Sequence, residues 1–258
     1  MKLPVVPTIL GLVAICVLAA AGCGSSGVPS SPSAVASNAS SSSFGSLDPI
    51  SAIPAREGAK RTILCFGDSL TFGTTSRAAP GFATLSPIEG YVPKLQRLLE
   101  DELDEKLRMV NSSRGGGDTN EGLARLPNEL RIHNPDLVLL WLGIVDVNTN
   151  EKARFTQLRE NLVAMMRMIK REGAKVVIGT YPPMDPEGFR ALVPEKVARL
   201  NAIIRQEANA EQVPIAGHEI AFGNDPDGLL GSDGLHPNDN GYQLIAETWF
   251  EVVRDLEF

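Results

Sequence analysis

From residue 59 to residue 258 the apolar positions fall into two alternating patterns. Short, nearly continuous apolar runs ("RTILCF", "LRMVNSS", "PDLVLLWLG", "AKVVIGTY" and "VPIAG") have the length and the branched residues of buried strands. Between them lie longer segments whose apolar residues recur every three or four positions. "YVPKLQRLLEDELDEKL" puts Leu95, Leu98, Leu99 and Leu103 on one helical face, and "TNEGLARLPNEL" predicts a short helix. "ARFTQLRENLVAMMRMIKREG" predicts the longest helix, closed by Gly173, and "PEKVARLNAIIRQEANAE" and "NGYQLIAETWFEVVRDLEF" predict two more. Strands apolar on both faces that alternate with helices predict an α/β fold, a five-stranded parallel sheet between helical layers. Ligands of such sheets bind beyond the carboxyl ends of the strands, so catalytic residues are expected directly after strands.

The first residues follow neither pattern. Met1 and Lys2 are followed by an apolar segment from about Ile9 to Ala21, shorter than the ~20 residues a spanning helix needs. Residues 1–23 are expected to be a signal peptide, and Ala20-Ala21-Gly22-Cys23 resembles a lipobox whose cysteine becomes lipidated. Residues 24–58 are expected to be a flexible tether, since the stretch 24–46 is mostly Ser, Gly, Ala and Pro and uncharged. The expected product is an exported protein, attached to a bacterial membrane through its lipid anchor only. The remaining residues, 59–258, suffice for one domain with a substantial core.

Charge narrows the partners. Lys and Arg number 24 against 31 Asp and Glu, a formal net charge of −7, and no basic stripe marks a nucleic-acid surface. Of three cysteines only Cys65 lies in the domain, inside the first apolar run, where it is expected to be buried. Met165, Met166 and Met168 are expected to fill core, and Trp141 to pack between layers. An Asp-x-Asp-Gly fragment in "NDPDGLLGSDG" lacks the further ligands of a calcium loop and reads as a turn.

Position relative to the strands sorts the histidines. His133 precedes the third strand, at the wrong end of the sheet; His218 closely follows the fifth. His236 lies in the loop "LLGSDGLHPNDNGY", three residues after Asp233 and across Gly234. That spacing lets a carboxylate hold one ring nitrogen while the other faces a cavity, as a general base requires; a plain turn satisfying its own backbone fits equally well. Ser69 ends the stretch "FGDS" directly after the first strand and reads either as a nucleophile or as a polar residue at a strand end.

"FGDSLTFG" together with "SDGLHPNDNGY" resembles the SGNH (GDSL-type) hydrolase family, over the domain from about Lys60 onward. The resemblance implies a flavodoxin-like three-layer α/β/α sandwich and a Ser69–His236–Asp233 triad that cleaves carboxylic (thio)esters. It implies a small-molecule ester or an acylated sugar or lipid as substrate, and neither a metal nor an organic cofactor. Ser69 and Gly117, in "NSSRGGGDT", match the family's oxyanion donors, with Gly115 or Gly116 taking that part if the loop is shifted. The neighbouring Asp118 with Glu121 is expected to form a helix capping box.

The family's Gly-x-Asn-Asp block is altered. Here it reads Gly143-Ile144-Val145-Asp146, with a valine that has no donor at the asparagine position. Either a nearby amide, Asn148 or Asn120, replaces it, or the enzyme is slow or confined to activated esters and thioesters, or the fold binds an acyl or sugar ligand without turnover. Acyl transfer to an envelope sugar is the alternative reaction. The long segment between Thr71 and Gly90 is expected to wall the substrate site or to be surface padding.

Overall fold

The computed structural model describes residues 58–76, 83–85, 90–148, 152–223 and 228–258. The expected signal, Cys23, almost all of the tether and residues 224–227 of the Asp-rich fragment lie outside the described residues, as do 77–82 and 86–89 of the segment after Thr71. In chain order the elements are β1 (Arg61–Gly67), α1 (Ser69–Phe72), β2 (Thr74–Ser76), β3 (Ala83–Leu85), α2 (Tyr91–Leu103), β4 (Leu107–Ser113) and α3 (Thr119–His133). They continue as β5 (Leu137–Trp141), α4 (Lys152–Arg171), β6 (Lys175–Gly179), α5 (Pro194–Ala210), β7 (Ile215–Ala216), α6 (His218–Phe222) and α7 (Asp239–Val253).

The five apolar runs form one parallel sheet in the order β4-β1-β5-β6-β7; β2 and β3 form a separate antiparallel ribbon. Taken along the chain, the five parallel strands stand second, first, third, fourth and fifth, a doubly wound order whose switch point lies between β1 and β5. The register pairs Gly67 with both Ser113 and Trp141, so three strands end level at one edge and their loops meet there. Helices α2 and α7 pack together, while α3, α4 and α5 pack in succession, giving the two helical layers.

Local chemistry ends the helices. Gly173, at φ 87°, closes α4: its N–H donates to the Lys170 carbonyl at 3.1 Å and that of Ala174 to Ile169 at 3.3 Å. Pro194 opens α5 at a position where its missing N–H costs nothing. Helix α3 is longer than the pattern predicts: it runs through Pro127 to His133 and stops at Asn134 in the left-handed conformation, just before Pro135. Only half of the expected capping box forms there. Asp118 accepts the Glu121 N–H at 2.9 Å, but the Glu121 carboxylate turns to Arg114 at 2.9 Å and Arg125 at 3.3 Å.

The largest buried side chains meet behind the carboxyl edge. Trp141 lies edge-on to Tyr91 and Trp249, at 5.7 and 6.0 Å, and stacks on Tyr181 at 5.4 Å, while its indole N–H donates to the Thr180 carbonyl. Met165 and Met166 are fully buried, Met168 packs at the core margin, and Cys65 is enclosed, with burial pushing its thiol up to about 12. His218 belongs to this cluster: its ring lies 4.7 Å from Trp141 and 5.0 Å from Trp249, and neither nitrogen has a hydrogen-bond partner.

Burial pushes the pKa of His218 from 6.5 down to about 3. Between those values the unfolded chain binds the additional proton, so this residue removes stability as pH falls through that window. Leucine has similar bulk and no nitrogen to leave unpaired. His218→Leu is expected to melt no lower than wild type at about pH 7, and to gain on it steadily as pH drops from about 6.5 to 4. Thermal melts followed by circular dichroism check this, and a constant difference across the range would place the acid sensitivity elsewhere.

Candidate active site

The chain leaves β1 through a turn that has no room for a side chain. A Cβ on Gly67 would lie 2.1 Å from the Thr71 hydroxyl and 2.8 Å from the Trp141 carbonyl. Asp68 follows, fully buried. One carboxylate oxygen accepts the Leu70 N–H at 2.9 Å and caps α1; the other accepts the Tyr181 hydroxyl at 2.7 Å. Burial raises the Asp68 pKa to about 6, against the pull of Tyr181, Leu70 and the nearby His236. The capping oxygen is therefore that of Asp68, and Ser69, half-buried at the first position of α1, keeps its side chain for another contact.

That contact is with His236. Its Nε2 lies 2.9 Å from Ser69 Oγ, and its Nδ1 lies 2.6 Å from Asp233 Oδ2. The other Asp233 oxygen accepts the backbone N–H groups of Leu235 at 3.0 Å and His236 at 2.9 Å. Burial alone would raise the Asp233 pKa; the bonds from the ring and backbone of His236 and from Leu235 outweigh it and hold the carboxyl below its usual range. An ionised Asp233 fixes the proton on Nδ1 and leaves Nε2 to accept from the Ser69 hydroxyl.

Ser69 and His236 line a cleft of about 690 Å³ together with Gly115, Gly116, Val145 and Asn148, while Asp233 is fully buried. Gly117 is placed differently from its expected part. Its N–H donates to the Arg114 carbonyl at 3.0 Å, closing a turn with Gly116 at φ 75°, and Gly117 does not line the cleft. The glycines that do are Gly115 and Gly116, the shifted alternative. Val145 is half-buried against the core, and Asn148 is exposed at the cleft. Asn120 stands outside the lining, its carbonyl taken by the Asn161 amide at 2.9 Å.

Asp146 is buried and engaged: it accepts the Thr119 N–H at 2.9 Å and the Thr119 hydroxyl at 2.7 Å, tying the β5 loop to the start of α3. His133 lies 3.4 Å from Glu129 at the end of α3, and His218 is enclosed in the aromatic cluster, so neither reaches the cleft. Thr74 of the β2–β3 ribbon lines it, so this part of the segment after Thr71 does wall the cleft. Among the described residues no group of three or more His, Cys, Asp or Glu is placed to hold a metal ion.

Sequence reasoning missed one wall. The β6–α5 connection contributes Phe189, Arg190, Ala191 and Leu192 to the cleft. It is joined backbone to backbone to the His236 loop: Asp185 N–H donates to the Gly234 carbonyl at 3.0 Å, and Arg190 N–H to that of Asp233 at 2.9 Å. The loop starts directly after β6 at the carboxyl edge, the position that had already selected Ser69 for attention.

A serine, an imidazole and a carboxylate thus lie in hydrogen-bond contact at the switch point of a doubly wound sheet, an arrangement with the geometry that nucleophilic catalysis uses. The comparisons place the chain further. Residues 65–244 match the profile of the GDSL-like lipase/acylhydrolase family. Esterase TesA of Pseudomonas aeruginosa is 30% identical over 201 residues, covering 78% of this chain and 92% of that protein. An arylesterase of Vibrio mimicus is 29% identical over 197 residues, 76% of this chain and 89% of its own. The crystal structure of a lipase/acylhydrolase from Enterococcus faecalis superposes with a TM-score of 0.61 at 28% identity, over 74% of this chain and 94% of that one. The chain belongs to the GDSL-like lipase/acylhydrolase family, the SGNH hydrolases, and ester hydrolysis is the activity this family supports.

The contact between the two loops is tight enough to test. A Cβ on Gly188 would stand 2.3 Å from Gly234 Cα and 2.4 Å from the Asp233 carbonyl, and Gly188 itself has an ordinary φ. Gly188→Ala is therefore expected to cost about 1–3 kcal/mol of stability by overpacking alone. It should also lower kcat on an ester more than it raises KM, because His236 is pushed away from Ser69. Urea unfolding and steady-state kinetics check both; unchanged values would show that the loops part freely.

Proposed function

We propose that the domain is a serine ester hydrolase in which Ser69 is the nucleophile, His236 the general base and Asp233 the group that orients it. The observation that supports this best is the unbroken run of contacts from Ser69 Oγ to His236 Nε2 and from Nδ1 to Asp233, at 2.9 and 2.6 Å, beside a cleft. Ser69 Oγ attacks the ester carbonyl as its proton passes to Nε2, and the imidazolium is stabilised by Asp233. Collapse of the tetrahedral intermediate expels the alcohol, which takes that proton. Water, deprotonated by the same nitrogen, then attacks the acyl-serine and releases the acid.

The oxyanion is held by the Ser69 N–H, an N–H of the Gly115-Gly116 turn and the amide of Asn148, among the described residues the one asparagine in the cleft lining. Each donor of this kind is worth roughly 10²–10³ in rate. Asn148→Ala is expected to lower kcat by about that factor, and Val145→Asn, which adds a donor, to raise kcat roughly tenfold if Asn148 fills the place incompletely. A turnover unchanged by both substitutions would remove Asn148 from the hole and show it already complete. Fluorophosphonate labelling of the full chain tests the nucleophile itself: an adduct on Ser69, absent from His236→Ala, is expected. A folded chain that takes no label would mean that Val145 marks a domain that binds its ligand without cleaving it.

We also propose that residues 1–23 direct export and that Cys23 is lipidated, with 24–58 as a tether, which places the domain on the outer side of a bacterial membrane. The support is the order of charged, apolar and small residues before Cys23. Among the described residues no helix is long and apolar enough to cross a membrane. Cys23→Ala is expected to move the protein from the membrane to the soluble fraction on cell fractionation; unaltered membrane association would exclude this anchor.

A further inference from the structure

We propose that Arg190 forms an anion subsite in the cleft, so that the preferred substrate is an ester carrying a carboxylate, phosphate or sulfate close to the scissile bond. This rests on ester hydrolysis at Ser69 and specifies what is hydrolysed. Arg190 lines the same cleft as Ser69 and His236, and among the described residues no aspartate or glutamate is in that lining. Three other arginines near the site are engaged: Arg114 with Glu121, Arg154 with Asp118, and Arg125 with the carbonyls of Gly67 and Ser112. Among the described residues the Arg190 guanidinium forms no ion pair, and it lies 5.8 Å from the centroid of the Phe189 ring.

Its position follows from the backbone. The Arg190 N–H is bonded to the carbonyl of Asp233 itself, and the turn that presents it is closed by Gly188 N–H to the Asp185 carbonyl and Ala191 N–H to that of Gly188, both at 3.0 Å. The base of the side chain is thus fixed relative to the residue that orients His236. The part of the cleft lining that Arg190 shares is otherwise apolar: Phe189, more than half exposed at 54%, with Ala191, Leu192 and Leu235. Arg190 is itself exposed, so its guanidinium is open to a forked, charge-assisted bond with a planar or tetrahedral anion. In a chain of net charge −7 an anionic ester gains little from the overall field, so selectivity for it must come from a local cation.

The test compares paired esters on the purified full chain, its Arg190→Gln variant and its Arg190→Lys variant. One pair, para-nitrophenyl acetate and para-nitrophenyl hemiglutarate, puts the anion on the acyl side; the other, phenyl acetate and para-acetoxybenzoate, puts it on the alcohol side. For at least one pair the ratio of kcat/KM for the anionic to the neutral ester is expected to fall roughly five- to tenfold in Arg190→Gln, the size of a partly solvated charge-assisted pair. Arg190→Lys should restore part of the ratio, and added salt should lower it in the wild type. The pair that responds identifies the side on which the charge sits. Turnover of the neutral esters with both ratios unchanged by Arg190→Gln would overturn the anion subsite and leave ester hydrolysis standing. Absence of turnover with all four would overturn ester hydrolysis at Ser69, and the subsite with it.

Discussion

The site depends on one carboxylate that serves two structures at once. Asp233 uses one oxygen to hold its own turn, through the N–H groups of Leu235 and His236, and the other to hold the imidazole of His236. The carboxylate that shapes the loop is therefore the one that orients the ring, and with this many donors it stays charged despite its burial. What remains is to fix the loop against the sheet. On one flank Gly231 N–H donates to the His236 carbonyl at 2.8 Å, and the Asn238 side chain bonds the Gly228 carbonyl before capping α7. On the other flank the β6–α5 loop is bonded to Asp233 and Gly234, at a distance of approach that only two glycines permit.

The strand ends that face this loop are organised by the same device. Asp68 after β1 and Asp146 after β5 are both buried, and burial raises the pKa of each. Each accepts one backbone N–H and one hydroxyl: Leu70 and Tyr181 for Asp68, Thr119 twice for Asp146. A buried carboxylate costs stability unless its oxygens are filled, and here filling them ties together segments that the sheet itself leaves apart. Tyr181 reaches Asp68 from the start of the β6–α5 loop, so the turn that presents Ser69 and the wall that faces it share one hydrogen bond.

What was legible in the sequence follows from how local each signal is. The five strands announced themselves as apolar runs, because a strand covered on both faces needs no polar side. Ser69, Asp233 and His236 stood out by their place after strands and by the motifs around them, and the structure brings the three together. The β6–α5 wall was invisible, since an irregular loop has no period and its role comes from a contact between Gly188 and Gly234. The Asp68–Tyr181 bond spans 113 residues and leaves no local trace. Gly117 differs for another reason: in a run of three glycines the sequence has no register, and the turn, with Gly116 at φ 75°, puts Gly115 and Gly116 rather than Gly117 in the cleft lining. Half of the capping box failed because Glu121 had two arginines within reach, a better partner than one backbone N–H.

Val145 makes sense as a neighbour of the apolar wall rather than as a missing asparagine. It is half-buried against the core and shares the cleft with Ile144, Leu192 and Leu235. A donor at this position acts on the oxyanion, which exists only in the transition state, and so raises kcat. An apolar side chain touches substrate and transition state alike, and so lowers KM without raising kcat. On the ester-hydrolase reading, the valine exchanges the first kind of interaction for the second and shifts the work of polarising the carbonyl to the glycine turn and Asn148. Such an exchange suits a site whose substrate is scarce or held chiefly by its own apolar part. On that reading the altered block marks how the cleft holds its ester, through apolar contact at Val145 and polar groups elsewhere in the lining.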